Sequence, residues 1–151
     1  EDVRFIWVGG SPDDPSFWPY RYDLEDAGLG GVVQFVPHQE DPLPIFALFD
    51  VFVLTSREDA FPLVGIEAAA LGCPVVCFET GGLPELVRDD AGIHVPFPDI
   101  TALGDAVISL LEDERRREAL GVCAAARVEA HHLVSVQGPG IISDIERVLG
   151  A

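Results

Sequence analysis

The segment "SREDAFPLVGIEAAALGCPVV", residues 56–76, sets two carboxylates, Asp59 and Glu67, on either side of a predicted helix start. The apolar run "VFVLTS" (51–56) predicts a strand, and "LVGIEAAAL" (63–71) predicts a helix ended by Gly72. With that helix beginning near Phe61, the N–H groups of Leu63, Val64 and Gly65 lack helical partners and carry the positive end of the dipole. Pro62 suits the first turn, where a missing N–H costs nothing. Such a mouth suits an anion, a phosphate or a diphosphate. Glu67 lies one turn beyond Leu63 and leans back over the helix start. Its two adjacent acceptor oxygens match the paired donors of a vicinal diol, such as a ribose 2′,3′-diol. On residue types alone, Glu67 serves equally well facing solvent or complementing the dipole. Its neighbours Ile66, Ala68, Ala69 and Ala70 point toward burial, where an unpartnered carboxylate is costly. Glu58 and Asp59 read equally as inert residues at a helix cap.

The elements that must position these residues follow from the hydrophobic pattern. Strands are predicted at 3–10, ending in Gly9 and Gly10, and at 32–36, 51–56, 74–79 and 91–97. Helices are predicted from a Ser16 cap to Ala27, at 42–49, 63–71 and 83–89, and at 99–113 with Asp99 as cap. In the last of these Leu103, Ala106, Val107, Leu110 and Leu111 share a face. Two more helices follow, the second, at 134–149, expected to break at Gly138-Pro139-Gly140. Alternation of strand and helix with short links predicts an α/β fold, a Rossmann-like parallel sheet flanked by helices. Ligands of such sheets collect at the carboxyl ends of the strands. Three links there are chemically loaded: Gly9-Gly10, residues 55–63, and Thr80-Gly81-Gly82, where paired glycines allow close backbone approach.

The 151 residues, 48% of them hydrophobic, suffice for one domain with its own core. The net charge is −17 and every cation is an arginine, a surface that repels nucleic acid. No run is long and apolar enough for a membrane span, and the first residues do not resemble a leader, so the chain reads as a soluble piece of something longer. Cys73, Cys77 and Cys123 lack a metal-ligand spacing and read as reduced, structural thiols in a cytoplasmic setting. The aromatics Phe17, Trp18, Tyr20 and Tyr22 read first as packing and second as a stacking surface for a base or sugar. Arg115, Arg116 and Arg117, beside Glu112, Asp113, Glu114 and Glu118, read as a solvated, self-neutralising helix face.

Taken together, these segments resemble the C-terminal, nucleotide-sugar-binding domain of the retaining GT-B glycosyltransferases of group 1, or family 4. That family carries an acid, seven residues, then a glutamate, within S-x-x-E-x-F-G-L-x-x-x-E-A-x-A-x-G-x-P-V-V. Ser56, Phe61, Leu63, Glu67, Ala68, Ala70, Gly72, Pro74, Val75 and Val76 match this pattern. The downstream "GGLPELV", "AGIHVPFPD" and "LLEDERRREALG" are similar in order and spacing, so the likeness covers nearly the whole chain.

The resemblance implies a donor-binding domain over 1–151, the C-terminal half of a GT-B fold without its first strand and helix, cut from a two-domain enzyme. It implies that Glu67 binds the donor's ribose, and that Asp59, the first acid, orients the transferred sugar or stabilises charge at its anomeric carbon. The backbone from Phe61 through Pro62, Leu63 and Val64 would contact sugar hydroxyls and phosphate. Gly9, Gly10, Gly81 and Gly82 would border the donor, and Val36, Pro37 and His38 would lie near the base. The implied reaction moves a hexose from a nucleotide diphosphate sugar, with retention, to an acceptor held by the absent N-terminal domain. No metal or other cofactor is implied, and peripheral membrane association of the parent is compatible with it. Two positions depart from the pattern: Asp59 is a methylene shorter than the usual glutamate, and Pro62 replaces a glycine that has an N–H. The family's diphosphate-binding Arg and Lys precede the first strand here, so the piece alone is expected to be inactive. A nucleotide-sugar 2-epimerase of GT-B type and a non-catalytic GT-B-like binding module are the alternatives.

Overall fold

Phe5–Val8 forms β1 and Val33–Val36 forms β2, paired in parallel with Phe5 opposite Val33 and Val8 opposite Val36. The structure, a computed structural model, describes residues 3–11, 13–88 and 90–150. Asp89, the end of the helix predicted at 83–89, lies outside the described residues. The chain divides into two compact units, Glu1–Pro42 and Leu43–Ala151.

In the first unit a single 3₁₀ turn, Pro15–Phe17, leads into helix α1, Trp18–Asp26. The cap is Asp14 rather than the predicted Ser16: the Asp14 carboxylate accepts the Ser16 N–H at 2.9 Å. Proline at the first position of that turn makes Asp14, not Ser16, the last non-helical residue. Gly28, in the left-handed region at φ 71°, follows the end of α1. Of the aromatics flagged in the sequence, Phe17 and Tyr20 join Trp7 and Phe35 in a ring cluster with centroids 5.6–6.0 Å apart. Trp18 and Tyr22 point to solvent. Packing therefore accounts for half of that set.

The second unit holds α2 (Leu43–Phe46), β3 (Phe52–Leu54), α3 (Leu63–Ala70), β4 (Val75–Phe78), α4 (Leu83–Val87) and β5 (Gly92–Val95). Helices α5 (Ile100–Glu112), α6 (Glu114–His131) and α7 (Val134–Leu149) complete it. Strands β3, β4 and β5 pair in parallel in that order. Among the described residues the strand pairing is parallel throughout, as the alternation predicts, β1 with β2 in the first unit and β3, β4 and β5 in the second. All four residues of β4 are buried, the signature of a parallel strand covered on both faces. Val76 and Phe78 pack with Val95 against Leu103, Ala106 and Leu110 of α5. That face of α5 is the one its periodicity predicts, and Asp99 caps it by accepting the Ala102 N–H at 2.9 Å.

Two long-range devices fix the helices over the sheet. A Cβ on Gly121 of α6 would sit 2.0 Å from the Gly72 carbonyl oxygen, so only glycine lets α6 rest on the turn that ends α3. Arg117 departs from its predicted role. Its guanidinium turns inward to donate to the Leu110 carbonyl at 3.0 Å, at the end of α5, and pairs with Asp50 at 3.6 Å. A cation there complements the negative end of the α5 dipole, which a wholly solvated side chain could not do. Helix α7 runs unbroken through Pro139. None of its residues is buried, so water can take the carbonyl that proline leaves unpaired. No described helix is long and apolar enough to cross a membrane.

Candidate functional site

The predicted site residues fall into two clusters, one in each unit. In the first unit the Gly9 and Gly10 N–H groups both donate to the Val36 carbonyl, at 2.9 and 3.2 Å. This ties the end of β1 to the end of β2 and sets Gly9, Gly10 and Val36 side by side. Pro37 and His38 follow, both exposed, with the Gln39 amide donating to the Pro37 carbonyl at 2.8 Å.

In the second unit β3 and β4 are parallel, so their following loops, 55–62 and 79–82, leave the same sheet edge. The Thr80 hydroxyl donates to the Ser56 carbonyl at 3.4 Å and the Gly82 N–H to the Ala60 carbonyl at 2.8 Å. The glycine pair is demanded by this contact. A Cβ on Gly81, whose φ is 62°, would lie 1.8 Å from the Asp59 carbonyl oxygen. A Cβ on Gly82 would lie 2.2 Å from the Phe61 ring. The close backbone approach expected of Gly81-Gly82 is thus made to the chain's own segment 59–61. Between the loops Leu54, Ser56, Asp59, Pro62, Cys77, Phe78, Thr80 and Leu83 line a cavity of about 10 Å³, room for one water at most. A ligand larger than water must therefore lie outside this space.

Helix α3 opens at Leu63, the first residue of the predicted span 63–71, but Pro62 is not in its first turn. Pro62, at φ −69° and ψ 120°, is the cap residue, and Leu63 is the first helical one. An extended backbone at Pro62 keeps it out of the first turn, and no side chain caps the helix in its place. Of the three N–H groups predicted to be open, that of Gly65 donates to the Pro62 carbonyl at 3.1 Å. Leu63 is 69% exposed and Val64 37%, so the first turn of the helix faces outward. Glu67 follows one turn on and is half-buried, while Asp59 is exposed. Among the described residues no charged side chain is buried, so the desolvation cost weighed for Glu67 does not arise in full.

Two residues that sequence reasoning missed complete the cluster. His132, just past the end of α6, packs on Phe61 in a tilted arrangement, with ring centroids 5.4 Å apart and planes 30° from parallel. Burial, with His131 and Arg127 nearby, holds its imidazole below the usual histidine range, and Glu85 pulls the other way. Arg127 donates to the Leu86 carbonyl at 2.8 Å and pairs with Asp90, and so ties α6 to the end of α4. The one sequence signal for His132 was the adjacent pair His131-His132, which carries no spacing that points to Phe61. Among the described residues no three His, Cys, Asp or Glu side chains gather as metal ligands.

Residues 1–127 match the family described as "Glycosyl transferases group 1". The chain is 30% identical, over 155 aligned residues and 95% of its own length, to D-inositol 3-phosphate glycosyltransferase of Corynebacterium diphtheriae, of which it covers 36%. It is similar to the solved sucrose-phosphate synthase of Thermosynechococcus elongatus, with a TM-score of 0.85 and 28% identity over 96% of this chain and 38% of that one. The fold is also that of Anabaena HepE, solved in complex with UDP, with a TM-score of 0.86 and 23% identity over 96% of this chain and 41% of the other. The chain spans about a third of the length of the curated relatives it matches. A parallel α/β unit whose β3–α3 link carries the family's acid-to-glutamate spacing, matched over most of its length by such proteins, belongs to the group 1 glycosyl transferases.

Proposed function

We propose that the chain is the donor-binding part of a two-domain GT-B enzyme that transfers a hexose, with retention, from a nucleotide diphosphate sugar to an acceptor held elsewhere in the protein. The observation that carries this reading is the outward-facing start of α3, with Glu67 one turn behind it. The donor's diphosphate lies at the Leu63 and Val64 N–H groups, where the helix dipole favours negative charge. Glu67, half-buried and so still able to reach a ligand, accepts from both ribose hydroxyls. Asp59 stands on the loop beside the helix mouth and acts on the transferred sugar. Its carboxylate stabilises the positive charge that grows at the anomeric carbon as the diphosphate departs. Gly81 and Gly82 support that site by holding segment 59–61 against the loop after β4.

UDP and UDP-glucose are present in solved structures of HepE, whose fold this chain shares, which supports a uridine nucleotide as the first donor to test. In this reading backbone N–H groups and cations supplied from elsewhere in the protein neutralise the diphosphate, without a metal or other cofactor. The free thiols Cys73, Cys77 and Cys123 accord with a cytoplasmic setting. Calorimetric titration of the full-length protein that carries this chain with UDP and UDP-glucose tests the reading, with Glu67→Ala as the comparison. The wild type is expected to bind. The variant is expected to lose about 1–3 kcal/mol, the range for leaving hydroxyl partners unpaired. Absence of binding by the wild type, or equal affinity in the variant, would overturn it.

A further inference from the structure

The Phe61 ring has two neighbours from distant segments: a Cβ on Gly82 would reach within 2.2 Å of it, and the His132 imidazole lies 5.4 Å away between centroids, with the planes 30° apart. Phe61 is two residues before the first helical residue of α3, and its neighbour Ala60 accepts the Gly82 N–H at 2.8 Å. The position of this ring therefore sets where the Asp59 backbone and the helix mouth stand relative to each other. The Gly82 N–H holds the backbone of this segment, and the imidazole is the side chain that packs on the ring itself.

We infer that His132 is a positioning residue for the candidate donor site, its imidazole clamping Phe61 against the Gly81-Gly82 turn so that segment 59–63 keeps its place at the mouth of α3. The inference rests on the functional reading above only for the use to which that place is put. The end of α6 thereby reaches the site through one aromatic contact. Charged and titratable groups around the imidazole come from two elements: His131 and Arg127 from α6, and Glu85 from α4. A neutral ring packs on Phe61 without a desolvated charge, so the clamp is complete above the ordinary histidine range. It loosens as pH falls through the lowered value, since the open state binds the proton more readily.

Amide hydrogen exchange in the wild type, His132→Phe and His132→Ala tests the clamp, because the Gly82 N–H reports directly on segment 59–61. At about pH 7.5, where His132 is neutral, His132→Ala is expected to lower Gly82 protection roughly tenfold or less, while β4 amides hold and His132→Phe, still flat, restores it. As pH falls below the ordinary histidine range the wild type is expected to lose Gly82 protection progressively and His132→Phe to keep it. Unchanged Gly82 protection in His132→Ala, failure of His132→Phe to rescue, or a uniform loss that includes β4 would overturn the inference. In parallel, UDP titration is expected to be weakened about three- to tenfold by His132→Ala and restored by His132→Phe. A wild type that fails to bind UDP would count against the donor-site reading, while the exchange experiment still decides the clamp.

Discussion

At the residue scale, space and solvation decide more than residue type. Gly81 faces the Asp59 carbonyl oxygen, 1.8 Å from where a Cβ would stand, at a backbone angle that other residues rarely adopt. Gly81→Ala is therefore expected to cost about 1–3 kcal/mol in urea denaturation, as segment 59–61 is pushed from its place. The thiols give a pH dependence of definite sign. Burial raises Cys73 to about 12 and Cys77 to about 11, from 9.0, so the folded chain keeps both neutral where the unfolded chain ionises them. Their contribution to stability is whole below pH 9.0 and is lost as pH rises from there through the folded-state values. Denaturation measured at rising pH is expected to show this decline, and a Cys73→Ala, Cys77→Ala double variant is expected to show a shallower one.

At the element scale, α4 is five residues long and cannot hold itself in place by its own hydrogen bonds. It stays because Leu83, Leu86 and Val87 are buried and because Arg127 donates to the Leu86 carbonyl near its end. The start of α4 is the Gly81-Gly82 turn, so loosening its end also loosens that turn. Arg127→Met keeps most of the side chain's bulk while removing the donor. It is expected to cost about 1.5–3 kcal/mol, the range for a hydrogen bond to a charged group, read as a lower denaturation midpoint. Helix α5 is the opposite case. Its stripe of Leu103, Ala106 and Leu110 and its Asp99 cap are local features, so it could be read from the sequence with its first residue correct. Helix α7 was expected to break at Pro139 and does not, because an exposed helix tolerates the lost hydrogen bond that a buried one would not.

At the scale of the whole molecule, a net charge of −17 on 151 residues makes self-repulsion a standing cost of folding. Salt shortens the reach of that repulsion, from about 30 Å at 0.01 M to about 8 Å at 0.15 M. The midpoint of thermal unfolding is therefore expected to rise on adding sodium chloride over that range, and a fall would show that specific ion pairs outweigh the net charge. Among the described residues the pairs Arg21–Glu25 at 3.4 Å and Arg147–Asp144 at 2.8 Å are exposed on both sides and so offset little of that repulsion. The same charge leaves anion binding to local donors, and the outward-facing mouth of α3 is such a place.

The sequence by itself determined the order of strands and helices, the cap of α5, the strand–turn–helix around Asp59 and Glu67, and the family. All of these are written in short-range spacing, which local backbone geometry converts directly into structure. Tertiary structure decided what Gly81 and Gly82 are for, that Arg117 and Arg127 close helix ends, and that His132 meets Phe61. Each of these is a side-chain or backbone contact with one or two named partners. Phe61 and His132, or Arg127 and Leu86, stand dozens of residues apart, and no periodic pattern links such positions. Only the packing of α6 beside α3 and α4 brings them within reach.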